Sequence, residues 1–235
     1  MCRDCGCGDP GIVPVEVHER LLSSNDRVAR HNREHFAAHD VLAINLMGSP
    51  GSGKTALLEA TTRALGSPQR LGAVSGDLAT DRDAQRLRAA GIPAATITTG
   101  SACHLDAEMV HRALHDFALD NLDIFVIENV GNLVCPAIYD LGQALNVVAL
   151  SVTEGEDKPL KYPVMFRNAQ AVLITKIDLL PHLGGLSLEM FDDALARVMP
   201  EPRGFPVSAL TGEGIDRWLE WLERLHPESR AATVP

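Results

Sequence analysis

The chain has 235 residues, 46% of them hydrophobic but only 4% aromatic, and carries 31 acidic against 21 basic side chains for a formal net charge of −10. That length suits one α/β domain with a short appendage, and a core of Ala, Val, Ile and Leu suits helices packed on a buried parallel sheet. The acidic balance excludes nucleic acid and anionic membrane surfaces as partners, and no run reaches the roughly 20 apolar residues of a membrane span.

The first 14 residues hold Cys2, Cys5 and Cys7 in C-x-x-C-G-C-G, with glycines and prolines and nothing to bury. They read as a flexible Cys-rich tail. The absence of an apolar h-region argues against a secretory signal and for the cytoplasm. In a reducing compartment clustered thiols mean metal or redox chemistry. Three thiols this close can wrap one ion, with the α-amine as a fourth donor. An S₃N set that can flatten suits square-planar Ni²⁺, whereas Zn²⁺ asks for a tetrahedron. An incidental reactive tail and a structural zinc knuckle are the alternatives.

Residues 15–39 read as an amphipathic helix, with Val17, Leu21, Val28 and Phe36 near one face. The other face is charged and bears His18, His31, His35 and His39. A solvated surface is the default for such a face, but the spacing of four among His31, His35 and His39 also allows a weak metal site.

Residues 40–226 form the candidate nucleotide-binding domain, and 227–235 a frayed end. Apolar runs at Val41–Met47, Leu71–Ser75, Ala95–Thr98, Ile124–Ile127, Val147–Val152, Ala171–Thr175 and Gly204–Val207 predict strands. Helical stretches are expected at about 54–65, 81–90, 105–119, 161–168, 187–198 and 214–225. The alternation predicts an α/β fold of P-loop NTPase type, a mostly parallel sheet flanked by helices.

Gly48-Ser49-Pro50-Gly51-Ser52-Gly53-Lys54-Thr55 satisfies the P-loop pattern GxxxxGK[ST], between a strand and a helix. The loop Gly48, Ser49, Gly51, Ser52 and Gly53 would turn backbone N–H groups toward phosphate, and the helix would present its positive end. Lys54 would bridge β- and γ-phosphates, and Thr55 would ligate Mg²⁺. Leu122–Glu128 reads as a buried strand ending in a carboxylate. Glu128 would hold Mg²⁺ through water, and Gly131, three residues on, would meet the γ-phosphate. In the loop after the second strand, Asp77 takes a metal or water-positioning role, and Asp81 fits a helix N-cap equally well. Lys54, Asp77 and Glu128 are thus the catalytic candidates.

Thr175-Lys176-Ile177-Asp178 stands where a guanine-reading NKxD motif belongs. Asp178 can accept from both N1–H and the exocyclic amine of guanine, a donor pair that adenine lacks. Lys176 can cover the base, and Ser208 and Ala209 lie in a small-residue loop suited to closing over it. Thr175 in place of Asn loses an amide contact, so GTP with weaker binding is expected. Cys103-His104 and Cys135 fall in loops at the nucleotide end of the sheet and form a candidate shared metal site. Three protein ligands leave coordination incomplete, which a two-fold related subunit could complete.

These segments together resemble the HypB-type hydrogenase nickel-incorporation GTPases over nearly the whole chain. The resemblance rests on CxxCGCG (Cys2, Cys5, Cys7), GSPGSGKT (Gly48–Thr55), SGDLATDRDA (Ser75–Ala84), Cys103-His104, ENVGNLVCP (Glu128–Pro136) and TEGEDKPLKYP (Thr153–Pro163). It implies a SIMIBI-like fold, a homodimer that assembles with GTP, and Ni²⁺ or Zn²⁺ at Cys103, His104 and Cys135. It further implies a tighter nickel site at the N-terminus, and a HypA-type accessory protein and the hydrogenase large subunit as partners. Lys158 would reach nucleotide across the dimer. The chain departs from the family at Thr175 and in lacking a long His-rich tract, so delivery of nickel is expected and storage is not. The competing readings are a urease-type nickel GTPase, a non-catalytic metal buffer and a small-molecule P-loop kinase. Against the first, Cys135-Pro136 is followed by Ala137 where a His is required.

Overall fold

The computed structural model describes residues 14–66, 70–77, 80–100 and 102–225. Cys2, Cys5 and Cys7 and the expected frayed end lie outside them, as do the side chains of Val17, His18 and Leu21. In chain order the elements are α1 (Pro14–Ala38), β1 (Leu42–Gly48), α2 (Lys54–Leu65), β2 (Leu71–Asp77), α3 (Arg82–Ala89), β3 (Ala94–Thr98), α4 (Ala107–Leu114), β4 (Ile124–Glu128) and β5 (Leu145–Ser151). There follow α5 (Lys158–Lys161), α6 (Pro163–Arg167), β6 (Ala171–Thr175), α7 (Leu188–Ala196), β7 (Gly204–Val207) and α8 (Ile215–Leu225). The seven strands form one sheet in the order β3-β2-β4-β1-β5-β6-β7, every pair parallel.

Both faces of this sheet are covered, which is why its strands read as continuous apolar runs. Leu42, Ile44 and Leu46 of β1 pack with Leu57 of α2 and with Trp218 and Leu222 of α8. On the opposite face, Ala43 and Phe125 meet Phe36 of α1 and Val110 and Leu114 of α4. Further along that face, Val148, Leu150, Val172 and Ile174 meet Phe166 of α6 and Phe191 of α7. Burial of a large side chain in such a layer is worth about 1.5–3 kcal/mol.

Two expected helices differ from their predicted extent. The stretch predicted over 105–119 is α4 alone, capped by Asp106, whose carboxylate accepts from the Met109 N–H at 2.8 Å. The stretch predicted over 161–168 begins earlier, as α5, and breaks at Tyr162 before Pro163, because proline disfavours a helical residue before it. Among the described residues no helix is long and apolar enough to cross a membrane.

Candidate functional site

β1 lies at the centre of the sheet, and the chain leaves its C-terminal end directly into the glycine loop. In open α/β sheets ligands bind beyond these strand ends. Gly48, Gly51 and Gly53 have φ of +149°, +77° and +94°. A Cβ on Gly48 would stand 2.4 Å from the Ala149 carbonyl oxygen, so that position admits no side chain. α2 begins at Lys54 with no side-chain cap, which leaves its first N–H groups for an anion. Lys54 is buried, its Nζ donating to the carbonyls of Gly48 and Ser49 at 3.3 and 3.2 Å. Burial pulls its pKa below the ordinary lysine range, opposed by Glu128 and Asp83. The Ser52 hydroxyl is buried with no hydrogen-bond partner.

A cleft of about 480 Å³ runs past Lys54, Thr55, Asp77, Asp83, Glu128 and Gly131. A larger depression of about 960 Å³ lies at the other end of the sheet, against Arg70, Pro93 and Leu122. It faces the N-terminal strand ends and lacks a glycine loop. In the first cleft the Thr55 hydroxyl lies 2.7 Å from Glu128 Oε1 and 3.0 Å from Asp83 Oδ1. Glu128 Oε2 is buried without a hydrogen-bond partner. Burial pushes the Glu128 carboxyl up to about 7, against the opposing pull of Thr55 and Lys54. Gly131 passes so close to the P-loop that a Cβ there would meet Pro50 N at 2.9 Å. Asp77 caps its own turn, accepting from the Thr80 N–H and hydroxyl at 3.1 Å each. Asp81 stands at the N-cap position of α3, but its carboxylate takes the Gln85 amide at 2.8 Å and caps no backbone N–H.

Asp83 is the acidic residue that reading the sequence missed. It sits on the first turn of α3, two positions beyond Asp81, and that turn aims it at Thr55. The pair Asp81 and Asp83, at alternate positions where a helical stretch begins, was the available signal.

A second cleft, of about 240 Å³, opens between Gly53, Ala56, Lys176, Asp178, Ala209 and Leu210. Lys176 occupies the left-handed region at φ +61°, and its Nζ donates to Gly51 O at 2.8 Å. Asp178 Oδ1 accepts from the buried Ser208 hydroxyl at 2.6 Å. Thr175 is buried and donates its hydroxyl to Ser52 O at 2.6 Å, tying the strand end to the P-loop.

Cys103, His104 and Cys135 come together, their ligand atoms all within 4.8 Å of one another. The two Sγ atoms are 3.1 Å apart and both thiols are free; Cys103 Sγ lies 3.8 Å from His104 Nδ1. The His104 ring stacks on Tyr139 at 3.9 Å, and burial holds its pKa below the ordinary value, which keeps a lone pair available. The neighbouring Cys103 pushes the Cys135 thiol up. Two thiolates and an imidazole are a soft donor set fit for Ni²⁺ or Zn²⁺, with room for a further ligand.

Two asparagines join this trio to the phosphate cleft. Asn129 is almost fully buried; its Oδ1 accepts from the N–H groups of Leu105 and Val130, and its Nδ2 donates to Asn45 Oδ1. Asn132 pairs with Gly48 as a lone antiparallel bridge and donates from Nδ2 to the Cys103 carbonyl at 3.2 Å. Neither role could be read from the sequence, since both depend on which loops the sheet order brings side by side.

The nucleotide-binding domain model of the CobW/HypB/UreG family matches residues 42–201. The chain is 50% identical to the hydrogenase maturation factor HypB of Azotobacter chroococcum over 89% of this chain and 68% of that one. It is 49% identical to HypB of Escherichia coli K12 over 94% and 77%. The crystal structure of HypB from Helicobacter pylori in complex with nickel is 40% identical, covers 88% of this chain and 96% of its own, and superposes with a TM-score of 0.81. The chain belongs to the CobW/HypB/UreG nucleotide-binding family and, within it, to the HypB hydrogenase maturation factors.

Proposed function

We propose that this chain is a GTP-hydrolysing nickel metallochaperone. It binds Ni²⁺ and delivers it for insertion into the [NiFe]-hydrogenase large subunit, with the nucleotide governing dimerisation and metal release. The observation that carries this reading is the contact of Asn132 with both Gly48 of the P-loop and the carbonyl of Cys103. Whatever moves the P-loop against Gly131 also moves the segment that bears the thiols.

The guanine assignment rests on Asp178, which lines the second cleft while Ser208 holds one of its carboxylate oxygens. Lys176 and Ala209 flank the same cleft. The residues present fit Mg²⁺: an unpartnered buried Glu128 oxygen and the Thr55 hydroxyl point to one place, with Asp83 beside them. Bound Mg²⁺ would supply a Lewis acid on the β- and γ-phosphate oxygens. Lys54 exchanges its two carbonyl partners for phosphate oxygens, and the N–H groups of the glycine loop hold the rest. Gly131 offers its N–H to the γ-phosphate, and Asp77 positions the attacking water. Turnover is slow, as suits a switch.

Nickel is the cargo. Cys103, His104 and Cys135 form the nucleotide-sensitive site, with Zn²⁺ as an alternative occupant, and Cys2, Cys5 and Cys7 form the tighter one. The relative from Helicobacter pylori, crystallised with nickel, supports the assignment. Exposed Val134 and Ile138 flank Cys135, and Val164 is exposed on α6. We assign this apolar surface to a homodimer contact that completes the coordination. Lys158, in the chain itself, lies 3.7 Å from Glu154 Oε2 and over the Tyr162 ring, and would trade Glu154 for nucleotide across that dimer. A HypA-type accessory protein and the hydrogenase large subunit are the proposed partners.

The test is phosphate release from GTP and ATP in Mg²⁺, with nickel transfer to a chromogenic chelator followed in parallel. GTP-selective turnover that accelerates transfer supports the proposal. Equal turnover of both nucleotides, or transfer indifferent to GTP, refutes it.

A further inference from the structure

Four histidines converge on the surface where α1 packs against α4, away from the cysteines. His31 and His35 are four apart on α1; His111 and His115 are four apart on the last turn and C-cap of α4. The His31 and His111 rings meet edge to face across the helix pair, with centroids 5.0 Å apart. His111 and His115 are 5.2 Å apart, and His31 and His35 are 6.5 Å apart. Metal–nitrogen bonds of about 2.0–2.1 Å at angles between square and tetrahedral place two coordinated ring centroids roughly 4.5–5.2 Å apart. Two of the three separations already meet that range. Histidines four apart on a helix present their rings to one ion, so the third closes by side-chain rotation.

The tautomer of His111 is fixed by its support. Asn32 is fully buried, and its Nδ2 donates to the carbonyls of Ala107 and Leu141 at 2.9 and 3.1 Å. That pair of bonds sets Asn32 Oδ1 as the acceptor that faces His111 Nδ1 at 3.0 Å. His111 Nδ1 must therefore carry the proton, and Nε2 the lone pair. A buried group that holds one ring nitrogen as donor and leaves the other as a ligand is the second-shell arrangement of metal-binding histidines. Burial, together with His31, His115 and His35, also keeps His111 below its ordinary pKa, in the neutral form that binds metal. His39 stands at the edge of the cluster: its ring meets that of His35 with centroids 5.2 Å apart, and its Nδ1 is paired with Asp120 at 2.6 Å.

We infer that His31, His35, His111 and His115 form a second metal site in this chain, an all-imidazole site for a divalent first-row cation such as Ni²⁺. It lies on the same helix that follows Cys103 and His104, and can hold an ion without thiol chemistry. The inference stands independently of the proposed nickel delivery.

The experiment is equilibrium titration of the full chain with Ni²⁺ against a competing chromogenic chelator. The intact protein is compared with His31→Gln/His111→Gln, with His35→Ala/His115→Ala, which leaves the Asn32–His111 contact in place, and with Cys103→Ser/Cys135→Ser. Circular dichroism verifies that each is folded. The expected result is that both histidine variants lose the same equivalent of nickel, while the cysteine variant retains it and loses another. X-ray absorption on the cysteine variant then shows imidazole scattering that the further His31→Gln/His111→Gln changes remove. A full nickel complement in either histidine variant overturns the site.

Discussion

Replacing Glu128 by Gln keeps the shape of a buried side chain and its acceptor toward Thr55, but removes a carboxyl that burial pushes up to about 7. In the unfolded chain the same group titrates near 4.5. Because the folded value is the higher one, the folded state binds the proton more tightly. Its contribution is fully present below about 4.5 and is lost as pH rises through about 7. At about 1.4 kcal/mol per tenfold, that displacement is worth about 3 kcal/mol. The assay is urea unfolding between pH 5 and 8 with chelator and reductant present and no nucleotide. The native protein loses about 2.5 kcal/mol relative to Glu128→Gln across that range, so the variant is the more stable protein at pH 8. Mg²⁺ and GDP reverse the order, because a divalent cation favours the carboxylate. Parallel pH profiles for the two proteins would refute the reasoning that Glu128 is a desolvated carboxylate awaiting a cation.

Three further substitutions probe the rest of the site. Asp178→Asn exchanges an acceptor for a donor in the base cleft, so GTP affinity falls about 10- to 100-fold while xanthosine triphosphate, with a carbonyl where guanine has an amine, gains; fluorescent-nucleotide titration reads both. Asn129→Ala strands the Leu105 and Val130 N–H groups and the Asn45 carbonyl, costing about 3 kcal/mol in urea unfolding and weakening nickel at Cys103, His104 and Cys135. Gly131→Ala drives a methyl against the Pro50 backbone and costs nucleotide about tenfold in affinity, with overpacking of about 1–3 kcal/mol; an unchanged dissociation constant contradicts the close approach of the two loops.

How much of this was legible in the sequence follows from range. The strands declared themselves because a sheet covered on both faces needs uninterrupted apolar runs, as at Ile124–Ile127 and Ala171–Thr175. The P-loop was legible because phosphate binding, left-handed glycines and a helix start all act within eight residues. The helix ends were less clear: α4 stops at Leu114 although apolar residues continue to Leu119. Asp83 went unread because its partner, Thr55, lies 28 residues away on another helix. The replacement of Asn by Thr175 suggested only a lost amide contact. The fold shows its hydroxyl holding the P-loop carbonyl of Ser52, 123 residues distant. The histidines of α1 carried a helical spacing in the sequence, but His111 and His115 come from another element, and only the packing of α1 on α4 joins them.

The central claim is that nucleotide and nickel sites act on each other through Asn132 and Asn129, and binding linkage makes that measurable. The most direct test is the nickel affinity of the Cys103–His104–Cys135 site, titrated in protein with Cys2, Cys5 and Cys7 changed to Ala, once with GDP and once with a non-hydrolysable GTP analogue. The account predicts different affinities in the two states, with the difference abolished by Asn132→Ala. The same affinity with GDP and with the analogue would contradict it.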